Sequence, residues 1–174
     1  MSCGALHHCL FETAFGVAAI VFNGDHSVRR ILLPGDTRQA TEKRIEPHSA
    51  AAPALPPAIQ NLSRGIQAYF TGQPVDFSLA PLDFGNLTML EQQVLRAVLL
   101  VGYGQTKTYR EIAKKIGRPK AYRFVGNTLA NNPFPVAVPC HRIIRADGSL
   151  GGFGGGTDLK KRMLAMEHTV RRKQ

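Results

Sequence analysis

No apolar run in the 174-residue sequence approaches the ~20 residues that a membrane-spanning helix needs; runs such as 97–102, Ala-Val-Leu-Leu-Val-Gly, stop far short of it. The N-terminus lacks the basic start and cleavage site of a secretory signal, so an intracellular home is expected. Cysteine is scarce. Cys3, Cys9 and Cys140 are three in number and cannot all pair, which fits a reducing compartment. Acidic residues are also few, 12 against 22 Lys and Arg, for a net charge of +10. The shortage lies in one half. Residues 1–85 carry 6 basic and 7 acidic groups, whereas 86–174 carry 16 and 5. A near-neutral first half joined to a strongly basic second half points to a polyanionic partner for the second.

What is present supports one sizeable domain or two small ones, with 44% apolar residues to build a core. Near the N-terminus, Cys3, His7, His8 and Cys9 match no usual structural zinc spacing, so no metal site is assigned and a disordered or strand-edge start is expected. Residues 9–33 read as a meander of antiparallel strands, with Asn23-Gly24-Asp25 as a turn. Asp36 or Thr37 caps a polar helix through about Ile45, and 50–57 reads as a loop. A second helix puts Ile59, Leu62, Ile66 and Tyr69/Phe70 on one face and stops at Gly72. Pro74, Pro81 and Gly85 mark a linker over 73–87. The expected domains are 1–80, an α/β supporting unit, and 81–174, which carries the chemistry.

In the second half, Thr88 with Glu91 and Thr108 with Glu111 are capping boxes that open two helices, the second reaching about Ile116. Gly117-Arg118-Pro119 is a turn, and a further helix from about Lys120 to Asn131 carries Lys120, Tyr122 and Arg123. Residues 107–132 therefore fit a helix-turn-helix, which the basic balance of this half favours over an αα-hairpin of an ordinary globule. The glycine-dense run 151–156 lacks the lysine of a phosphate-binding loop, which excludes nucleotide hydrolysis, and suits a loop where a ligand approaches the backbone. Thr157 or Asp158 caps a last helix through about His168, with Leu159, Met163, Leu164 and Met166 apolar. Glu167 opposes the dipole at its end unless a cationic or imidazole group answers it. Residues 171–174 read as a disordered tail.

Between these elements, Val136, Ala137 and Val138 form a buried segment and Pro139 precedes Cys140. The thiol is either a small buried hydrophobe or a nucleophile. His141 and Arg142 beside it favour the thiolate in the second reading. His141 is its candidate base and Glu167 the base's candidate orienter. Direct contact between Cys140 and His141 requires a turn at Pro139 or a bridging water.

The stretch 132–144, Asn-Pro-Phe-Pro-Val-Ala-Val-Pro-Cys-His-Arg-Ile-Ile, closely resembles the active-site signature of the O6-alkylguanine-DNA alkyltransferases. The resemblance runs from about Leu87 to about His168. It implies an RNase H-like α/β N-terminal domain, an antiparallel sheet with helices, and a mainly α C-terminal winged-helix/helix-turn-helix domain. It also implies direct DNA repair: stoichiometric, irreversible transfer of an alkyl group from O6 of a flipped-out guanine, or O4 of thymine, to the protein's own cysteine. Cys140 matches the acceptor, His141 the base acting through a water, Glu167 the carboxylate that holds it, and Asn132 the hinge. Tyr109 matches the tyrosine that hydrogen-bonds the purine, and Arg123 the arginine that fills the gap left by the flipped base. Lys120, Tyr122 and Arg142 join Arg123 and Tyr109 as expected DNA contacts. Pro135, Ile143, Phe153, Gly154 and Gly155 are the expected pocket residues. Two positions depart from the pattern: Phe153 stands where tyrosine is common, and Gly154 replaces a hydroxyl residue of some members. No cofactor is implied. The partner is double-stranded DNA containing O6-alkylguanine, with no obligatory protein partner, for a monomer in the cytoplasm, on the nucleoid or in a nucleus. The alternative is a non-catalytic lesion-binding protein that flags damage for other repair.

Overall fold

The computed structural model describes residues 5–171 and divides into two compact units, Met1–Phe84 and Gly85–Gln174. In the first unit, strands β1 (Leu6–Thr13), β2 (Gly16–Asn23) and β3 (Val28–Gly35) form the expected meander. Both connections are antiparallel, and the sheet order is β3-β2-β1-β4. The central strand β2 is buried from Val17 to Phe22, on both of its faces. A strand covered on both faces reads as a continuous apolar run rather than as an alternation. Two helices follow: α1 (Arg38–Glu42), with Thr37 Oγ1 accepting from Ala40 N, and α2 (Pro57–Phe70). The latter buries Ile59, Leu62, Ile66, Tyr69 and Phe70, the face foreseen from the spacing.

Two expectations fail in this unit. The segment expected to be a loop begins with strand β4 (Ser49–Ala51), parallel to β1 with Leu6 opposite Ser49. Ser-Ala-Ala has little strand preference of its own. Pairing from 41 residues away holds it, with His8 Nδ1 3.0 Å from Ser49 Oγ and Ala52 N donating to His8 O at 2.9 Å. For the same reason His7 and His8 are flanked by strands on both sides and are neither disordered nor at an edge. Cys3 lies outside the described residues.

The second unit is helical: α3 (Met89–Leu99), α4 (Tyr109–Lys115), α5 (Tyr122–Ala130) and α6 (Thr157–Arg171). Two short parallel strands, β5 (Lys107–Thr108) and β6 (Ile143–Ile144), pair beside them. Both capping boxes form, with each threonine hydroxyl on the glutamate's N–H and each carboxylate returning to the threonine's N–H. Helix α4 ends at Gly117, whose φ of 71° lets Arg118 N reach Ala113 O at 2.9 Å. That left-handed position favours glycine and sets the turn between α4 and α5. Helix α5 starts later than expected because Ala121 N closes a turn on Arg118 O at 2.8 Å. Helix α6 includes Thr157, so neither Thr157 nor Asp158 is the residue before its first turn, and it continues past His168 to Arg171. Residues 172–174 of the expected tail lie outside the described residues. Among the described residues no helix is long and apolar enough to cross a membrane.

Candidate functional site

The loop between α5 and β6 is built around Asn132. Its Oδ1 accepts from Phe134 N at 3.0 Å, and its Nδ2 donates to Val138 O at 3.0 Å and to Cys140 Sγ at 3.1 Å. One side chain thus closes the loop at both ends and places a donor on the sulfur. Residues 136–138 are buried, but they form a tight turn rather than a strand: Val138 N donates to Phe134 O at 2.7 Å, and Val136 takes a φ of 74°. A β-branched residue in that region stores roughly 1–3 kcal/mol of strain, held here by the burial of its neighbours. The turn foreseen at Pro139 is a 3₁₀ turn over Cys140–Arg142, with Arg142 N donating to Pro139 O at 2.9 Å. Its tight winding separates the Cys140 side chain from those of His141 and Arg142, which both reach one carboxylate.

Two of them meet Glu167 of α6. His141 Nε2 is 2.8 Å from Glu167 Oε1, and both side chains are fully buried. Arg142 Nε and Nη2 donate to the same carboxylate at 3.0 Å, Gly104 N adds a further bond at 2.8 Å, and Arg142 Nη1 donates to Val101 O. Burial opposes ionisation of Glu167, but the hydrogen bonds and charges of His141 and Arg142 outweigh it and hold the carboxyl down to about 2. Glu167 therefore has both the imidazole and the cation its position demanded. Burial pushes the His141 pKa down despite the carboxylate, so the ring is neutral near pH 7. A neutral imidazole that donates from Nε2 to an ionised carboxylate carries its lone pair on Nδ1, the atom left to act as a base.

Arg142 departs from its expected role. It is 7% exposed and faces inward, so it is not a DNA-facing cation; its planar fork fits the Glu167 carboxylate. The thiol departs as well. Burial raises the Cys140 pKa, offset only in part by the Asn132 hydrogen bond and the charge of Lys160. With Arg142 engaged elsewhere, the resting group is a thiol rather than the expected thiolate.

Lys160, not foreseen from the sequence, also lies at this site. It is fully buried on α6, and its Nζ donates to Ile143 O at 2.7 Å and to Leu150 O. It therefore ties the strand after the thiol to the start of the glycine run. Burial lowers its pKa to about 8, opposed by the charge of Cys140. The signal was available: 160, 163, 164 and 167 follow the i, i+3, i+4, i+7 spacing of one helical face.

Beside this centre lies a cavity of about 520 Å³ whose walls include Tyr109, Arg123, Gly126, Ala130 and Gly151–Gly154. Of the expected pocket residues, Phe153 and Gly154 line it, whereas Pro135 and Ile143 are buried outside its lining and Gly155 is not part of it. Phe153 packs edge-on to His141 with ring centroids 6.4 Å apart. A Cβ at Gly151 would sit 2.7 Å from the Tyr109 hydroxyl, and φ there is 68°. Burial and the Cys140 charge raise the Tyr109 pKa against the opposing field of Arg145, which keeps the phenol a hydrogen-bond donor. Arg123 and Tyr122 project from exposed positions of α5 onto the same cavity, and Lys120 is exposed just before that helix.

The fold and the site define a class: a small α/β unit followed by a helical unit that holds one buried thiol hydrogen-bonded by Asn132. The family model of the 6-O-methylguanine DNA methyltransferase DNA-binding domain matches residues 89–169. The methylated-DNA–protein-cysteine methyltransferase of Methanothermobacter thermautotrophicus is 45% identical over 112 residues, which span 64% of this chain and 62% of that one. That of Mycolicibacterium paratuberculosis is 38% identical over 126 residues, 72% of this chain and 75% of that one. The crystal structure of Mycobacterium tuberculosis O6-methylguanine methyltransferase aligns with a TM-score of 0.77 and 30% identity over 94% of this chain and 93% of that chain. A crystal structure of the Mycobacterium tuberculosis protein in complex with DNA aligns with a TM-score of 0.79. The chain belongs to the methylated-DNA–protein-cysteine methyltransferase family.

Proposed function

We propose that this protein repairs O6-alkylguanine in duplex DNA by moving the alkyl group onto Cys140, once per molecule. Helices α4 and α5 act as the helix-turn-helix of a winged-helix unit, and the first unit is an RNase H-like support. The protein works as a monomer in the compartment that holds the DNA, without a cofactor. Arg123 fills the stack as the damaged nucleotide turns out, and Tyr122 and Lys120 contact the duplex. The extrahelical base enters the cavity over Phe153 and Gly154, where the absent side chain at 154 leaves backbone to meet the base edge.

The chemistry follows from the protonation states. His141 Nδ1, acting through a water, takes the Cys140 proton, and Glu167 stabilises the imidazolium that forms. The Asn132 N–H and the Lys160 ammonium stabilise the thiolate. Sulfur attacks the alkyl carbon, the carbon–O6 bond breaks, and the electron pair leaves on the guanine. The Tyr109 hydroxyl donates a hydrogen bond to the departing purine, and the proton taken up by His141 passes back through the water to the guanine anion, leaving neutral guanine and a neutral imidazole. The thioether on Cys140 is stable, so the protein is consumed.

The observation that carries this reading is Asn132 Nδ2 at 3.1 Å from Cys140 Sγ, in a turn whose next residue is paired with Glu167 at 2.8 Å. A structural cysteine needs neither a donor on its sulfur nor an oriented neutral imidazole beside it. A lesion-binding protein that transfers nothing has no use for the thiol, which disfavours the alternative. The test is to mix the protein with duplex oligonucleotide containing O6-methylguanine and map tryptic peptide masses. One methyl on Cys140 at a one-to-one ceiling is expected. Repeated turnover, or an unmodified Cys140, overturns the reading.

A further inference from the structure

The cavity beside the thiol has walls suited to a flat, neutral base: Gly126, Ala130, Phe153 and the glycines around it. Such a ligand has no need of guanidinium groups. Yet Arg110 and Arg145 also line the cavity together with Arg123, and its lining includes no carboxylate. Three like charges around one opening repel each other and are stabilised only when an anion joins them. Arg123 is already taken up by the duplex in the reading above. Arg110 and Arg145 have no part in it.

Arg110 is restrained through its side chain and Arg145 through its backbone. Arg110, exposed on α4, lies with its Cζ 5.4 Å from the ring centroid of Tyr122 on α5, a cation–π contact that restricts a long flexible side chain. Arg145 opens a tight turn, its N–H donating to Ser149 O at 2.9 Å and its carbonyl accepting from Gly148 N at 3.0 Å. The nearby Asp147 is engaged by Ser149, whose N–H and hydroxyl donate to it at 2.9 and 2.7 Å, although its charge couples to that of Arg145. Among the described residues no carboxylate forms an ion pair with either arginine. Arg145 lines the cavity together with Tyr109 and Gly151. Arg110 and Arg145 therefore sit on different elements around one opening, each with a free planar fork.

We infer that Arg110 and Arg145 form a clamp for the two phosphodiesters that flank the extrahelical nucleotide, one arginine to each. A nucleotide swung into the cavity brings one phosphate to either side of its base, and the guanidinium fork matches phosphate geometry. The clamp rests on the function proposed above. Both arginines are substrate-positioning residues: they fix the depth of the base in the cavity without touching the reacting atoms.

The test uses single-turnover alkyl transfer from duplexes in which the phosphate 5′ or 3′ of O6-methylguanine is an uncharged methylphosphonate. With the wild type, each replacement should slow transfer roughly 10-fold or more, as expected for a lost hydrogen bond to a charged group. R110A should show a similar loss on the natural duplex and no further loss with one of the two phosphonates. R145A should do the same with the other. R110K and R145K, which keep the charge, should recover part of the sensitivity to phosphonate. The loss with free O6-benzylguanine should be smaller than with duplex in every variant. Alanine variants that match the wild type on natural duplex overturn the clamp. So does an undiminished phosphonate penalty in both variants, since that places the phosphates elsewhere. If wild-type Cys140 takes no alkyl group from natural duplex, the proposed function itself fails, a different outcome from failure of the clamp.

Discussion

Replacing Glu167 by glutamine keeps the shape of the site and removes one charge from beneath it. The carboxyl titrates at about 2 against an ordinary 4.5, and its side chain is fully buried. That shift corresponds to about 3 kcal/mol of folding free energy. A depressed acid contributes stability above the unfolded value and loses it as pH falls through the folded one. The Glu167 contribution is therefore complete above about pH 4.5 and gone near pH 2. His141 works in the same direction at higher pH. Its folded pKa lies below the ordinary 6.5, so the unfolded chain takes up the proton first and stability begins to decline below that point. Glu167→Gln also leaves the Arg142 guanidinium buried without its counter-charge, a loss of ~3–5 kcal/mol for one partner of a buried pair. Unfolding free energies of wild type and variant from urea titrations between pH 8 and pH 2 should differ by about 3 kcal/mol at neutrality and converge in acid. Subtracting the curves gives the carboxylate together with its coupling to His141, because the ring loses the partner that raises its pKa. A gap that stays constant down to pH 2 would refute the reasoning, since it would mean that Glu167 contributes by packing alone. The variant should also react with O6-benzylguanine about 10–100-fold more slowly, because the neutral His141 loses the partner that sets its tautomer.

Arg142→Ala should lower stability by ~3–5 kcal/mol, since it leaves Glu167 buried and unanswered by a cation; a loss under about 0.5 kcal/mol, normal for a surface site, would restore Arg142 to the exterior. Gly151→Ala should cost more than Gly148→Ala. Both glycines have positive φ, but a Cβ at 148 meets nothing within 4 Å whereas one at 151 sits 2.7 Å from the Tyr109 hydroxyl. The second change should cost ~1–2 kcal/mol in urea unfolding and the first more than that, with slower alkyl transfer in Gly151→Ala only. Lys160→Met removes a cation that favours the Cys140 thiolate, so the ultraviolet titration of the thiol should move upward and alkyl transfer should slow about tenfold. An unchanged thiol titration would leave Lys160 with a purely structural role.

The parts of this protein that the sequence determines by itself are those whose energetics close within a few residues. Thr88 with Glu91 and Thr108 with Glu111 satisfy one another across a single helical turn, so their capping boxes are legible without a fold. The Asn23-Gly24 turn and the apolar face of α2 are local in the same sense. The Pro-Cys-His-Arg run carries its own signal too, because Asn132 bonds to a sulfur only eight residues away. Tertiary structure decided what depends on distant partners. Ser49–Ala51 is a strand only because Leu6–His8 lies beside it. Arg142 looks like one more cation of a basic half until Glu167, 25 residues on, turns it inward. Lys160 looks like a solvated helix residue until carbonyls 10 and 17 residues back claim its ammonium. Composition counts charges. Only the fold determines which of them remain free to meet an anion, because a buried charge must be paired within the protein.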